Sequence, residues 1–201
     1  MQRIIALDME GVVTPEIWIA VASRTGISEL RLTTRDEPDY QKLMDRRIAI
    51  LDQYKIPLSL IRDVISELDV LEGSRAFLDG LRRKYQVVLL SDTFEQFADH
   101  FIMQLGYPHL LCHRLIVEAE QITRFIPRVE DAKRRAVLGY QQLGYHITAV
   151  GDSYNDINML QQAEAGSLFR AAPGLPDKYP DLVSLEAYDE LTEWIDFSAG
   201  N

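Results

Sequence analysis

Ile4-Ile5-Ala6-Leu7-Asp8-Met9-Glu10-Gly11-Val12 sets a short, unbroken apolar run directly before two acidic residues and a glycine. A continuous apolar run of this length suits a strand buried on both faces of a parallel sheet, since such a strand has no solvent side. Residues 87–90 and 147–150 repeat the pattern, and 167–169 offer a fourth, shorter strand. Helical patterns at 72–84, 132–143 and 155–163 fall between or after them. Strands alternating with helices predict an α/β, doubly wound, mostly parallel fold. Ligands in that architecture bind at the carboxyl ends of the strands, beside a topological switch point. Three runs end there in polar residues: Asp8, Ser91-Asp92-Thr93 and Gly151-Asp152.

Between the first two strands the alternation stops. Residues 16–71 read as helices without a strand, for example 40–54 and 58–68, separated by Pro38 and Pro57. This stretch is expected to be a helical cap, with 1–15 and 72–201 forming the α/β core. Residues 109–129 have mixed periodicity compatible with a β-hairpin, and 185–197 suggest a closing helix.

The 201-residue chain has 47% hydrophobic and 26% charged residues, as ordinary globular proteins do. No apolar run approaches the roughly 20 residues that span a bilayer, and the N-terminus reads as a strand rather than a signal peptide. Cys112 is the only cysteine, so no intrachain disulfide can form and a cytoplasmic location is expected. The net charge of −10 argues against sequence-independent nucleic-acid binding, which needs clustered Lys and Arg. A phosphate handled by such a chain must meet locally concentrated positive charge.

Four separated elements supply the parts for phosphoryl transfer through an aspartyl-phosphate. Asp8 is the candidate nucleophile, because a carboxylate is already ionised at neutral pH and needs no activating base. Repulsion from a dianionic phosphate then calls for a cation. Mg²⁺ suits oxygen ligands from Asp8, Asp152 and a backbone carbonyl near Glu10, with Asp156 ligating directly or through water. Ser91 can hydrogen-bond a phosphate oxygen, and Lys133 can bridge Asp8 and phosphate. Glu10, two residues on, points the same way along an extended chain and can act as acid and then base. Taken singly, each has a bland reading: Asp8 as a polar loop residue, Lys133 as solvated, Ser91 and Asn155 as helix caps. The joint order along separate strands is what favours chemistry.

Asp-Met-Glu-Gly-Val, Leu-Ser-Asp-Thr-Phe and Gly-Asp-Ser-Tyr-Asn-Asp, with Lys133, resemble the haloacid-dehalogenase-like phosphatase superfamily and, within it, the phosphoserine phosphatases. Glu10 in place of the usual aspartate, and Asp92-Thr93 in place of glycines, are similar to the bifunctional phosphoserine phosphatase / phosphoserine:homoserine phosphotransferase variant. The resemblance implies a Rossmann-like core, Mg²⁺, Asp8 as nucleophile and Glu10 as acid/base. Ser91 and Lys133 would hold phosphate, with Asp92 and Thr93 beside it, and the metal site would comprise Asp8, Glu10, Asp152 and Asp156. Phosphoserine is the implied substrate and homoserine a possible acceptor.

Arg47 adds an independent argument. On a helical wheel it falls at the centre of an apolar arc of Leu43, Met44, Ile48, Ile50 and Leu51, opposite Lys42, Asp45 and Asp52. A buried guanidinium needs a counter-ion, either a structural partner or a substrate carboxylate; the resemblance favours the carboxylate. Glu16 similarly resembles the glutamate that meets the substrate ammonium, or else serves as a first-turn acid after Pro15. Asn155 either caps its helix or contacts substrate. His109, Cys112 and His113 lack a complete zinc set. Competing functions are a phosphatase of another small phosphometabolite and a receiver-like phosphoacceptor switch, and an apolar helical surface serves either cap closure or a homodimer contact.

Overall fold

The computed structural model describes residues 2–37 and 39–200; Pro38, expected to separate two inserted helices, lies outside them. Among the described residues the strands are β1 (Arg3–Leu7), β2 (Gln86–Phe94), β3 (His109–Glu118), β4 (Gln121–Ile126), β5 (His146–Gly151), β6 (Ala165–Phe169) and β7 (Val183–Leu185). They form one sheet in the order β4-β3-β2-β1-β5-β6-β7. All neighbours are parallel except β3 and β4. The chain lays β2 on one side of β1 and returns with β5 on the other. That reversal is the switch point, and Asp8 ends the strand at its centre.

The apolar run of β1 divides its side chains between two cores, as the two-residue period of a strand requires. Ile5 and Leu7 join Leu89 and Val150 on one face; Ile4 and Ala6 join Val88, Leu90, Ile147 and Ala149 on the other. Helices α1 (Ile17–Thr25), α2 (Tyr40–Gln53) and α3 (Leu58–Ser66) occupy the insertion, with a 3-10 turn at Ser28–Arg31. They share the first core with α4 (Ser74–Arg82), α5 (Glu95–Gln104) and, further along the chain, the closing helix of residues 188–200. Val137 of α6 (Ala132–Gln142) and Ile157, Met159 and Leu160 of α7 (Ile157–Gln162) cover the second. A four-residue helix, α8 (Leu175–Lys178), precedes β7, and α9 (Tyr188–Gly200) ends the fold. No helix of the described residues is long and apolar enough to cross a membrane.

Several boundaries differ from the sequence reading. β2 continues past Leu90 to Phe94, because β3 runs alongside and re-pairs Phe94 with His113 after a register shift. Ser91-Asp92-Thr93 thus lie in an irregular strand end rather than in a helix-capping loop. Helix 155–163 starts as a 3-10 turn at Tyr154–Asp156, and residues 183–185 form a strand ahead of α9. The hairpin β3–β4 is present. Its two-residue loop, Ala119-Glu120, has positive φ at both positions, as a type I′ turn requires. This loop props the insertion: Glu120 accepts hydrogen bonds from Leu58 N–H to its carbonyl at 2.7 Å and from Ser59 N–H to its carboxylate at 3.1 Å. Both donors belong to the first turn of α3, which Pro57 leaves without a side-chain cap.

α9 reaches the loop after β1 through Tyr188, whose ring stacks on Phe77 at 4.8 Å and whose hydroxyl donates to the Val12 carbonyl at 2.6 Å. Tyr188→Phe keeps the stack and removes that bond. It should cost about 1 kcal/mol of stability in urea denaturation; an unchanged midpoint would contradict the tether.

Candidate active site

The chain turns sharply after Asp8. Val13 and Thr14 N–H both donate to the Met9 carbonyl at 2.9 Å, and Gly11 N–H donates to the Thr14 carbonyl at 2.9 Å. Gly11 has φ +81°, and a Cβ there would stand 2.5 Å from Asp152 Oδ2. A glycine is required on both counts, conformational and steric. At the end of β5, a Cβ on Gly151 would overlap the Asp156 side chain. Two glycines thus make room for two carboxylates.

Asp8, Asp152 and Asp156 each offer an oxygen, and these lie within 4.8 Å of one another. Lys133, from the first turn of α6, donates to Asp8 Oδ1 and to Asp156 Oδ1, both at 2.7 Å. All four side chains are buried. Asp156 also accepts from Asp152 N–H at 3.0 Å and Ser153 N–H at 3.1 Å on its other oxygen, so the protein itself engages both its oxygens. Burial and then the Asp156 carboxylate push the Asp8 pKa well up, with the Lys133 ammonium pulling it back. The same causes push Asp152 to about 7, against the Arg35 guanidinium. Lys133 is held charged, because the three acids beside it outweigh its own burial. Lys133 and, at Asp152, Arg35 together still leave three clustered carboxylates short of neutral. An all-oxygen, over-negative cluster is the donor set of a hard divalent cation such as Mg²⁺.

The β2 end forms the adjoining wall. Ser91 is buried, and its hydroxyl accepts from Thr93 N–H at 3.1 Å. The Thr93 hydroxyl is buried without a well-formed partner. Asp92 accepts from Asn155 Nδ2 at 2.7 Å and from His113 Nε2 at 3.1 Å, with Lys133 Nζ at 3.6 Å. His113 Nδ1 accepts from Arg128 N–H, so Nε2 carries the proton that Asp92 receives. Burial alone would raise the Asp92 pKa; Lys133, His113 and Asn155 overcome it and hold the acid well below the usual range. Tyr40, in the first turn of α2, donates its hydroxyl to the Asp92 carbonyl at 2.5 Å.

The insertion closes the site from the other side. Arg47 is 5% exposed and lies 4.6 Å above the Trp18 ring. Its polar contacts are the Leu32 carbonyl at 2.8 Å and the Met44 sulfur at 3.5 Å, while Nε has no partner. No carboxylate of the described residues stands within ion-pair distance of it. Glu16 precedes α1 but its side chain caps nothing. The Ile17 N–H is taken instead by Glu10 Oε2, at 3.1 Å. The first-turn role weighed for Glu16 therefore falls to Glu10. Burial and then the Glu10 carboxylate push Glu16 to about 7, and burial also raises Glu10. Asp8, Glu10, Glu16, Arg47, Ser91, Asp92, Thr93, Lys133, Asp152 and Asn155 all line one cavity of about 50 Å³. Asp156 sits behind it.

Four contributors were not legible in the sequence reading. Tyr40 bonds the Asp92 carbonyl and Ser153 pairs with Thr34, partners that only the fold brings near. His113 faces Asp92; among the described residues the cluster able to hold a metal is that of Asp8, Asp152 and Asp156. Arg35 comes from a turn with no periodicity, and its guanidinium pairs with Asp152 Oδ2 across the chain.

A match described as haloacid dehalogenase-like hydrolase covers residues 2–164. Two relatives are similar over most of their length. A phosphoserine phosphatase of Pseudomonas syringae pv. tomato is 49% identical over 94% of this chain and 80% of its own. The phosphoserine phosphatase ThrH of Pseudomonas aeruginosa is 46% identical over 94% of this chain and 93% of its own. A structure described as a phospho-aspartyl intermediate analogue of phosphoserine phosphatase superimposes with a TM-score of 0.80 at 21% identity, covering 96% and 98% of the two chains. At that identity the likeness concerns the fold.

The raised Asp152 pKa has a consequence for stability in protein freed of divalent cations with EDTA. The folded state holds this proton up to about 7, the unfolded chain only to its ordinary 3.8. The group therefore favours folding fully below the unfolded value and loses that contribution as pH rises through the folded one. From about pH 5 to about pH 8, Tm should fall more steeply for wild type than for Asp152→Asn, which does not titrate there. Equal slopes would contradict the reading.

Proposed function

Since the chain belongs to the haloacid dehalogenase-like hydrolase family, we propose that it is a Mg²⁺-dependent phosphoserine phosphatase working through an aspartyl-phosphate, with transfer to homoserine as a second outcome. The observation that carries the substrate is Arg47: a buried guanidinium, unpaired by any described carboxylate, lining the same cavity as Asp8. Burying an unpaired charge is costly, and the carboxylate of an amino-acid phosphate is a partner of matching geometry. Glu16, on the same wall, suits the ammonium. Residues 16–71 act as the cap and 1–15 with 72–201 as the core.

Asp8, Asp152 and the backbone beside Glu10 would hold the cation, with Asp156 acting through water or by charge, since its oxygens are already engaged. When bound, Mg²⁺ supplies charge neutralisation between nucleophile and phosphate. An Asp8 oxygen bonds to phosphorus as the bond to the seryl oxygen breaks, and Glu10 gives that oxygen a proton. The upward shift of Glu10 by burial favours this acid form. Ser91 and Lys133 take the equatorial phosphate oxygens. Glu10, now ionised, removes a proton from water or an acceptor alcohol as its oxygen attacks phosphorus and frees Asp8. Asp92 orients Lys133 and Asn155, and Thr93 offers a hydroxyl beside Glu10. The site favours hydrolysis in the cytoplasm of free amino-acid phosphates, small enough to be enclosed.

Incubating enzyme, Mg²⁺ and phosphoserine with and without homoserine, and following products by phosphorus NMR, tests both outcomes. Phosphate is expected in both, with O-phosphohomoserine added when the acceptor is present; no turnover of phosphoserine in either would sink the substrate. Asp8→Asn should abolish turnover with retained folding. Arg47→Ala should lower kcat/KM by roughly 100-fold, the scale of one lost charged contact, and an unaffected value would point to another phosphometabolite.

A further inference from the structure

Arg35 lies outside the machinery just assigned, yet it touches its centre. It sits in the Thr33–Glu37 segment, between the Ser28–Arg31 turn and α2, and this segment is bonded to itself. Asp36 and Glu37 N–H donate to the Thr33 carbonyl, both at 3.0 Å, and Thr33 N–H donates to Asp36 Oδ2 at 2.9 Å. A unit closed in this way moves as one piece. Two contacts bind it to the end of β5: the Arg35 guanidinium on Asp152 Oδ2, and Thr34 Oγ1 with Ser153 Oγ at 3.3 Å. The Arg35 side chain is 34% exposed and that of Asp152 is 2% exposed. The arginine thus reaches inward from the rim to a buried acid of the carboxylate cluster. Thr33 and Thr34 line the cavity directly. At about 50 Å³ that cavity holds a few waters. Pockets for small molecules begin near ~300 Å³. With the segment seated, the space left beside Asp8 and Asp152 is too small for a substrate.

We propose that Arg35 is a positioning residue that couples this segment to the cation site: its guanidinium and a divalent cation are alternative partners of the Asp152 carboxylate. This rests on the reading of Asp152 as a cation ligand. Each partner satisfies the same negative charge in a nearly dry site, so each weakens the other. By linkage the coupling runs both ways. The cation favours the state in which the segment is unseated, and anything that unseats the segment tightens the cation. Cation binding thereby loosens the door through which substrate enters, before substrate arrives.

The test uses the substrate-free protein at mildly alkaline pH, with Mg²⁺ alone. Isothermal titration should show Mg²⁺ binding roughly fivefold tighter in Arg35→Ala than in wild type, with Arg35→Lys between them. Amide hydrogen exchange in residues 33–37 should accelerate when Mg²⁺ is added to wild type. In Arg35→Ala it should already be fast and should not respond. Equal or weaker Mg²⁺ binding in the alanine variant overturns the proposal, as does exchange in wild type that Mg²⁺ slows or leaves unchanged. The exchange measurement on wild type decides the matter even if the variant fails to fold. Wild type that binds no Mg²⁺ overturns the cation reading itself, and this one with it; the other negative results overturn the coupling alone.

Discussion

Three carboxylates held within 4.8 Å of one another at the buried end of a sheet set the terms for everything around them. Their mutual repulsion is opposed first by the Lys133 ammonium, which spans Asp8 and Asp156. Helix α6 must therefore begin where it does, with its first turn against the strand ends. The backbone answers the same constraint. Gly11 and Gly151 leave space for side chains that no larger residue would permit, and N–H groups of the β5 loop turn inward to Asp156. Asp92 shares the Lys133 charge and adds donors of its own in His113 and Asn155, which together keep a fourth acid ionised beside the other three.

The insertion is fixed to this centre by polar contacts, and to the rest of the fold by a continuous apolar core. Trp18 and Met44 belong to the same cluster as Ile5 and Leu7 of the central strand. The β3–β4 hairpin supports it from the side, through Glu120 beneath α3 and through Phe125 edge-on to Tyr40 at 5.7 Å. Tyr40 in turn touches the Asp92 carbonyl. A chain of packed groups thus runs from the hairpin to the β2 wall of the cavity.

Much of this was legible in the sequence because it follows from local pattern. Continuous apolar runs marked the central strands, a polar residue after each marked the end where the acidic cluster and its cavity lie, and the wheel around Arg47 foretold its burial. What escaped depended on pairing at a distance. β2 runs on to Phe94 only because β3 accompanies it, and no propensity within Ser91-Asp92-Thr93 signals that. The hairpin signal was weak because Ala119-Glu120 adopts positive φ without the Asn or Gly that advertises such a turn. That Glu10 rather than Glu16 takes the Ile17 N–H depends on how tightly the chain folds back after Gly11. Arg35 lies in an aperiodic turn, and the acid it meets is set by the fold as a whole.

The position of β1 also has a bearing on how the protein is made. Ile4 is made before both of its partners, Gln86 and Ile147, which lie far along the chain. The loop after it gains its last support when Tyr188 reaches the Val12 carbonyl. Contacts of such separation carry a large loop-closure cost before they return any stabilisation, which slows folding. During synthesis the central strand must wait, apolar on both faces, for partners not yet translated. Strand β1 is thus a segment in need of protection on the ribosome, and the loop after it gains its last support only once Tyr188 has been released.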